Sequence, residues 1–283
     1  MRRTEVDPLD EARVRWYSSP ARLIDDIREH SRAAVGDYAT RVDLAGLSSS
    51  PRGIAVLAAL HTLESATLSR LRLVLLTPTH TDAQVTAFLA TWAYERHWIA
   101  NALAAALDTL GGETIEPVPG TWWQRFEDRL RPTAAAVWTN VVGEPVVATH
   151  LVEASLEEWL MIAAYRRLAA AEPGLAELCR AIVATKQVHQ RYFATRAARD
   201  LGGSPQARRL ARRRLCRWSW PQRGSRPPMV ALDPLLDLLT TPAGRPVREV
   251  EQRLRDLPGL AAVGLVRHRQ QIETIARGTR GRR

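Results

Sequence analysis

Two side chains that can carry charge lie on an otherwise apolar helix face near residue 186. Over 175–193, steps of three and four residues connect Leu175, Leu178, Ile182, Lys186, His189 and Phe193. This spacing places all six side chains on one side of a helix. An ionisable group on such a face is costly unless it is paired with an opposite charge or bound to a metal. The sequence therefore predicts acidic partners or a metal opposite Lys186 and His189.

Three other predicted helices each carry a glutamate in the middle of an apolar stripe. Glu64 lies in a helix predicted over 51–76, and Glu95 lies in a helix predicted to begin at Thr81 with a capping box. Glu158 lies in a helix predicted over 144–171. Inward-facing carboxylates and histidines on four helices are typical of carboxylate-bridged dimetal bundles. The alternative is that these residues never formed a site and lie along the edges of a bundle.

The one lysine of the chain belongs to this set. Of the 40 basic residues, Lys186 is the only lysine and the other 39 are arginines. A compact ammonium group fits where a planar guanidinium does not. A protonated lysine offers no lone pair to a metal, so we expect Lys186 to pair with Glu158 or Glu95.

The composition favours an all-α protein. Ala, Leu and Arg dominate, which favours helix over sheet, and 46% of the residues are hydrophobic. We expect no transmembrane helix and no signal peptide, since the chain has no run of 18 apolar residues and no hydrophobic N-terminal core. Two cysteines form no disulfide framework or thiolate metal site and favour a cytoplasmic location. Phosphate-loop, dinucleotide and serine-hydrolase motifs are missing from the sequence.

We predict three regions along the chain. Residues 1–50 form an N-terminal helical arm, in which Pro20 can open a helix through Ile24, Ile27 and His30. Residues 51–203 form a four-helix bundle, and residues 204–283 form a basic helical extension that packs on it. In the extension, helices are predicted over 206–217, 231–240, 245–257 and about 258–277. Residues 201–283 contain 18 arginines and six acidic residues, a net charge of +12 against −2 for the first 200 residues.

Three short motifs resemble the ferritin-like superfamily, most closely its soluble acyl-acyl-carrier-protein desaturase branch. Segment 155–158 (SLEE) and segment 184–193 (ATKQVHQRYF) are similar to the third- and fourth-helix motifs, the latter to A-D-E-x-x-H-H-x-F-Y. Segment 92–95 (WAYE) is similar to the start of the second-helix motif W-x-x-E-E-x-x-H. The resemblance covers roughly 50–265 and implies a ferritin-like four-helix bundle with additional N- and C-terminal helices.

The resemblance also implies an incomplete di-iron ligand set. By position, the remaining metal ligands are Glu64, Glu95, Glu158 and His189. Trp98 stands where the second helix should supply a histidine, and Lys186 stands where a bridging glutamate should be. We therefore expect a pseudo-di-iron site, with either no cofactor or iron or manganese bound to the residual ligands.

Two functions follow from the resemblance and one from the charge. The first is a degenerate desaturase-like protein that binds a hydrophobic or acyl ligand, or an acidic partner, without a complete di-iron centre. The second is an iron- or manganese-dependent oxidoreductase of fatty acid metabolism acting on acyl chains. The third and disfavoured one is a nucleic-acid binder in which Trp218 and Trp220 stack on bases.

A basic cluster in the extension is the predicted partner-binding surface. Its members are Arg208, Arg209, Arg212, Arg213, Arg214 and Arg217. Acyl carrier proteins are acidic, so the resemblance implies that such a carrier docks on these arginines. A homodimer is also implied by the resemblance.

Overall fold

The protein is all-α over the residues that the computed structural model describes, which are 27, 29–115, 143, 145–216, 218, 220, 229–240 and 245–264. No strand occurs among them. Their eight α-helices are α1 (Pro51–Ser65), α2 (Thr67–Leu75), α3 (Ala83–Thr109), α4 (Pro145–Ala171), α5 (Ala176–Gly203), α6 (Pro205–Leu215), α7 (Met229–Thr240) and α8 (Arg245–Arg255). The all-α class predicted from composition is thus confirmed.

The start of α1 follows the sequence prediction, but its end does not. Ser50 is the N-cap, since its hydroxyl accepts the Gly53 backbone N–H, and Pro51 occupies the first turn. The single helix predicted over 51–76 is wrong, because the chain breaks at Ala66 into α1 and α2. Near the break, the hydroxyl of Thr67 donates to the backbone carbonyl of Glu64 at 2.6 Å. This side-chain bond takes a carbonyl that a continuous helix would use in its own ladder.

The start of α3 also differs from the prediction. Asp82, not Thr81, is the N-cap, and its carboxylate accepts the Val85 backbone N–H at 3.0 Å. The hydroxyl of Thr81 donates instead to the Pro78 carbonyl. The helix ends as predicted, beside Gly111, whose φ of +68° suits a glycine.

The paired helices α4 and α5 form the middle of the protein. A single 3-10 turn, Pro173–Leu175, joins them, and they pack along each other. So short a connection makes the two helices antiparallel. α1 packs on α3, and both contribute residues to the same core as α4 and α5. Residues as far apart in the sequence as Glu64 and Lys186 are thereby brought into contact.

The C-terminal helices pack on this assembly. α6, α7 and α8 all contact α4, and α7 also contacts α1. The helix predicted near 258–277 is wrong for 258–264, which form turns; its remainder lies outside the described residues. The N-terminal arm before residue 27 lies outside them as well. None of the described helices has a stretch long and apolar enough to cross a bilayer.

Candidate functional site

The four predicted ligands meet Lys186 in one buried cluster. Glu64 comes from α1, Glu95 from α3, Glu158 from α4, and Lys186 and His189 from α5. Each of the five residues is at most 1% exposed. The side chains therefore face inward, as the apolar stripes predicted, and they do not lie along the edges of the helix assembly.

The Lys186 ammonium joins two of the carboxylates. Its Nζ lies 2.8 Å from Glu64 Oε1 and 3.0 Å from Glu158 Oε2. The partner acids are thus Glu64 and Glu158, and Glu95 pairs elsewhere. A cationic group already occupies the space between two oxygens that could otherwise chelate a metal.

Arg96 is a second cation in the cluster, and the sequence stripes did not identify it. Its Nε lies 2.5 Å from Glu64 Oε2, and its Nη1 donates to Glu157 Oε1 at 3.0 Å. Its Nη2 donates to the Leu63 carbonyl at 3.1 Å. The guanidinium therefore uses three nitrogens on α1 and α4, which a lysine could not do.

Two aromatic side chains complete the hydrogen bonding of the carboxylates. The Trp92 indole N–H donates to Glu158 Oε1 at 2.9 Å, and the Tyr165 hydroxyl donates to Glu64 Oε1 at 3.1 Å. Glu64 is consequently bound by two cations and one neutral donor, and Glu158 by Lys186 and one neutral donor. A buried acid with its oxygens satisfied in this way is held in one orientation.

A second group of contacts within the cluster surrounds Glu95. His189 Nε2 donates to Glu95 Oε2 at 2.6 Å, and His30 Nε2 lies 3.1 Å from the same oxygen. The other oxygen, Oε1, accepts the Val35 backbone N–H at 2.9 Å. His30 comes from the N-terminal segment and was not among the predicted ligands.

Nearby positive charges and hydrogen bonds keep Glu158 and Glu95 ionised. Burial raises the pKa of Glu158, but the charges of Lys186 and Arg96 more than offset this and lower it to about 2. Burial likewise raises the pKa of Glu95, while the imidazoles of His189 and His30 bring it down to about 2. Burial lowers the pKa of Arg96, and the charges of Glu64 and Glu158 raise it above its usual range.

Trp98, the residue predicted to replace a histidine ligand, makes no hydrogen bond through its indole N–H to the described residues. Trp98 is partly buried against the core and makes edge contacts with Tyr94 and His97, at ring distances of 6.3 and 6.0 Å. His97 is exposed and interacts with Asn101 at 3.1 Å. His61 Nε2, one turn before Glu64 in α1, interacts with the Ser65 hydroxyl at 3.2 Å.

α6 exposes four of the six arginines of the predicted basic surface, Arg209, Arg212, Arg213 and Arg214. α6 buries Ala207, Ala211 and Leu215 and turns its arginines outward. Arg214 pairs with Glu153 at 2.9 Å, and Arg208 is half-buried. Arg209, Arg212 and Arg213 remain exposed at spacings of three and four, whereas Arg217 lies outside the described residues. We call these three residues the α6 arginine face.

Two tryptophans assigned to base stacking are not available for it. Trp218 is 5% exposed and Trp220 is 9% exposed, and both belong to the hydrophobic core. Stacking platforms for single-stranded nucleic acid need exposed rings. The nucleic-acid hypothesis thereby loses its aromatic component.

No family model, curated protein or solved structure matches this chain. The ferritin-like resemblance therefore remains a prediction.

Proposed function

We propose that this chain is a desaturase-like helical protein without a complete di-iron centre. It binds an acidic carrier protein together with the acyl group on that carrier, and it does not oxidise the acyl group. The observation that carries the proposal is the position of Lys186 between Glu64 and Glu158. Where a dimetal site would need a bridging carboxylate, an ammonium group repels a cation and offers it no lone pair. The proposal includes a cytoplasmic location, in keeping with two free cysteines.

The second cation strengthens this proposal. Arg96 contacts Glu64 and lies 4.0 Å from Glu158 Oε1, so both acids face two fixed positive charges. A metal entering between them would have to displace these charges and leave them buried without partners, which is strongly unfavourable. Glu64 and Glu158 consequently serve the protein as ion-pair partners.

The α6 arginine face is the proposed docking surface for the carrier. Arg209, Arg212 and Arg213 have no acidic partner among the described residues and lie on one side of a helix. Exposed charges of one sign attract a partner of the opposite sign and speed its association, in a manner that weakens as salt rises. An acidic acyl carrier protein has the complementary chemistry.

The metal part of the proposal is tested by elemental analysis and oxygen uptake. The protein is expressed with iron and manganese supplied, and the wild type is compared with Lys186→Glu. We expect fewer than two metal equivalents and no oxygen consumption in the wild type, with added metal in the variant. Two equivalents of iron with oxygen consumption in the wild type would overturn the proposal in favour of the oxidoreductase.

The docking part is tested with a purified acidic acyl carrier protein bearing an acyl group. Reversing Arg209, Arg212 and Arg213 to glutamate should abolish binding, and the wild-type affinity should fall as salt rises. The matched control reverses Arg52, Arg166 and Arg180, which are exposed arginines on α1, α4 and α5, and changes the net charge equally. Equal loss of binding in both triple variants would assign the effect to net charge and remove the α6 arginine face from the proposal.

A further inference from the structure

Three metal-ligating side chains from three separate segments converge on one oxygen beside the Lys186 ion pairs. His30 belongs to the N-terminal segment, Glu95 to α3 and His189 to α5, and their ligand atoms all lie within 4.8 Å of one another. We propose that His30, Glu95 and His189 bind one divalent first-row transition metal ion through two histidines and one carboxylate. This site goes beyond the proposed function, because it holds a single ion and uses a residue outside the helices of the resemblance.

The distances suit a small metal ion. Bonds from zinc to histidine nitrogen or carboxylate oxygen are about 2.0–2.2 Å, which places neighbouring ligand atoms roughly 3.0 to 3.5 Å apart. His30 Nε2 and Glu95 Oε2 are 3.1 Å apart. His189 Nε2 is closer to that oxygen, at 2.6 Å, because its N–H donates a hydrogen bond to the carboxylate. Metal binding releases such a proton, and the ion takes its place.

His30 has an unfilled bonding position at this point. Its Nε2 is buried and makes no hydrogen bond, although it lies beside the Glu95 carboxylate. Buried polar atoms that make no well-aligned hydrogen bond are uncommon, and a metal ion is one way to satisfy them. A metal shared with Glu95 and His189 would satisfy this nitrogen directly.

Neighbouring groups orient the Glu95 carboxylate and the His30 ring. The Val35 backbone N–H fixes Glu95 Oε1 and leaves Oε2 directed at the two histidines. His189 Nδ1, which would carry the proton when Nε2 binds metal, faces Glu158 Oε1 at 3.9 Å. At this distance Nδ1 makes no hydrogen bond, whereas in metal centres the second ring nitrogen of a ligating histidine usually donates to a carboxylate, a carbonyl or water. Phe88 stacks on the His30 ring at a centroid distance of 5.4 Å and shields that side.

The charges nearby restrict the site to one ion. Glu64 and Glu158, which would be needed for a second metal, are bound by Lys186 and Arg96. Neither of these cations contacts Glu95, whose partners are the two imidazoles and the Val35 amide. A set of two imidazoles and one carboxylate selects zinc or iron(II) over calcium and magnesium, which prefer all-oxygen sites.

The test is a zinc titration of the full chain, free of affinity tags and stripped of metal, in competition with a chromogenic chelator. We expect one equivalent of zinc to bind. His30→Ala should weaken binding by roughly 100-fold or more, beyond what losing an outer-shell group costs. The matched control is His97→Ala, which removes an exposed histidine two residues from Glu95 and should bind like the wild type.

Folding of each variant is checked by circular dichroism, and His30→Gln, which keeps side-chain length, serves as a second variant. If the wild type binds no zinc, or if both His30 variants bind it as tightly as the wild type, the inference is overturned. Neither of those outcomes bears on the proposed function. The proposed function is overturned by a different result, two equivalents of bound iron with oxygen uptake, which does not depend on His30.

Discussion

Lys186 Nζ and Glu64 Oε1 lie 2.8 Å apart although 122 positions separate the two residues in the sequence. The ammonium group on α5 also reaches Glu158 on α4, so a single lysine joins three helices. All three residues are at most 1% exposed. A buried charge is stable only with its partners present, which makes this cluster sensitive to the removal of any one member.

Lys186→Met should destabilise the protein by roughly 3 to 5 kcal/mol. The substitution keeps much of the side-chain volume but leaves Glu64 and Glu158 with Arg96 as their one fixed cation. The free energy of unfolding, measured by urea denaturation and followed by circular dichroism, reports the loss.

The double variant Lys186→Met/Glu158→Gln provides the control. It removes both partners of one ion pair, so no unpaired acid remains at position 158, and we expect part of the lost stability to return. A single variant within about 1 kcal/mol of the wild type would show that Lys186 is not paired as described.

Tyr165→Phe should cost about 1 to 3 kcal/mol of stability. The substitution removes the buried hydroxyl that donates to Glu64 Oε1 and leaves that oxygen with Lys186 alone. Thermal or urea unfolding measures the change. Tyr94→Phe is the matched control, because Tyr94 is 49% exposed and its hydroxyl is not needed by a buried acid; equal effects of the two substitutions would contradict the assigned role.

Asp82 has two functions that different substitutions can separate. It caps α3 through the Val85 amide and pairs with Arg196 Nη2 at 2.5 Å. Asp82→Asn keeps a capping oxygen and loses the charge, whereas Asp82→Ala loses both. We expect the alanine variant to be less stable than the asparagine variant by about 1 kcal/mol, and equal unfolding free energies would show that the cap contributes nothing.

The sequence predicted the inward residues that interrupt a regular apolar stripe. Glu64, Glu158 and His189 each stand in such a stripe, and Lys186 is additionally the one lysine of the chain. A charged residue at a stripe position must be satisfied by something opposite it. With Glu95, these residues mark at least one member of the cluster on each of its four helices.

The same rule did not identify Arg96, because α3 is buried over more than one face. A stripe through Glu95 places Arg96 about 100° away around the helix. A second stripe of buried residues, with steps of three and four, passes through Val85, Leu89, Trp92, Arg96, Ile99 and Leu103. Searching each helix for two stripes, rather than one, would have identified it.

Other features depended on tertiary contacts that a single helix does not reveal. His30 lies in the N-terminal helix that the sequence predicts after Pro20, but its approach to Glu95 joins residues 65 positions apart. The break at Ala66 falls on a residue with the highest helix propensity. It lies beside carbonyls taken by Thr67 and Arg96, and the second of these bonds comes from another helix.

The stability of the protein should fall in acid between pH 4.5 and about 2. Glu95 and Glu158 have folded-state pKa values lowered from 4.5 to about 2. The unfolded chain therefore takes up protons first as the pH falls, so their stabilisation is complete above 4.5 and is lost as the pH approaches 2. Linkage gives roughly 2 to 4 kcal/mol for each such group. Urea denaturation across this range measures the free energy of unfolding.

Glu158→Gln tests whether the buried cluster causes this acid sensitivity. The variant can no longer lose a charge at position 158, so its unfolding free energy should start lower near pH 7 and decline less steeply below pH 4.5. Glu177→Gln is the control, since it removes an exposed carboxyl group of α5, and it should follow the wild-type curve. A slope that is the same in all three proteins would mean that Glu158 does not keep its charge in the folded state, and would remove the electrostatic basis for pairing it with Lys186.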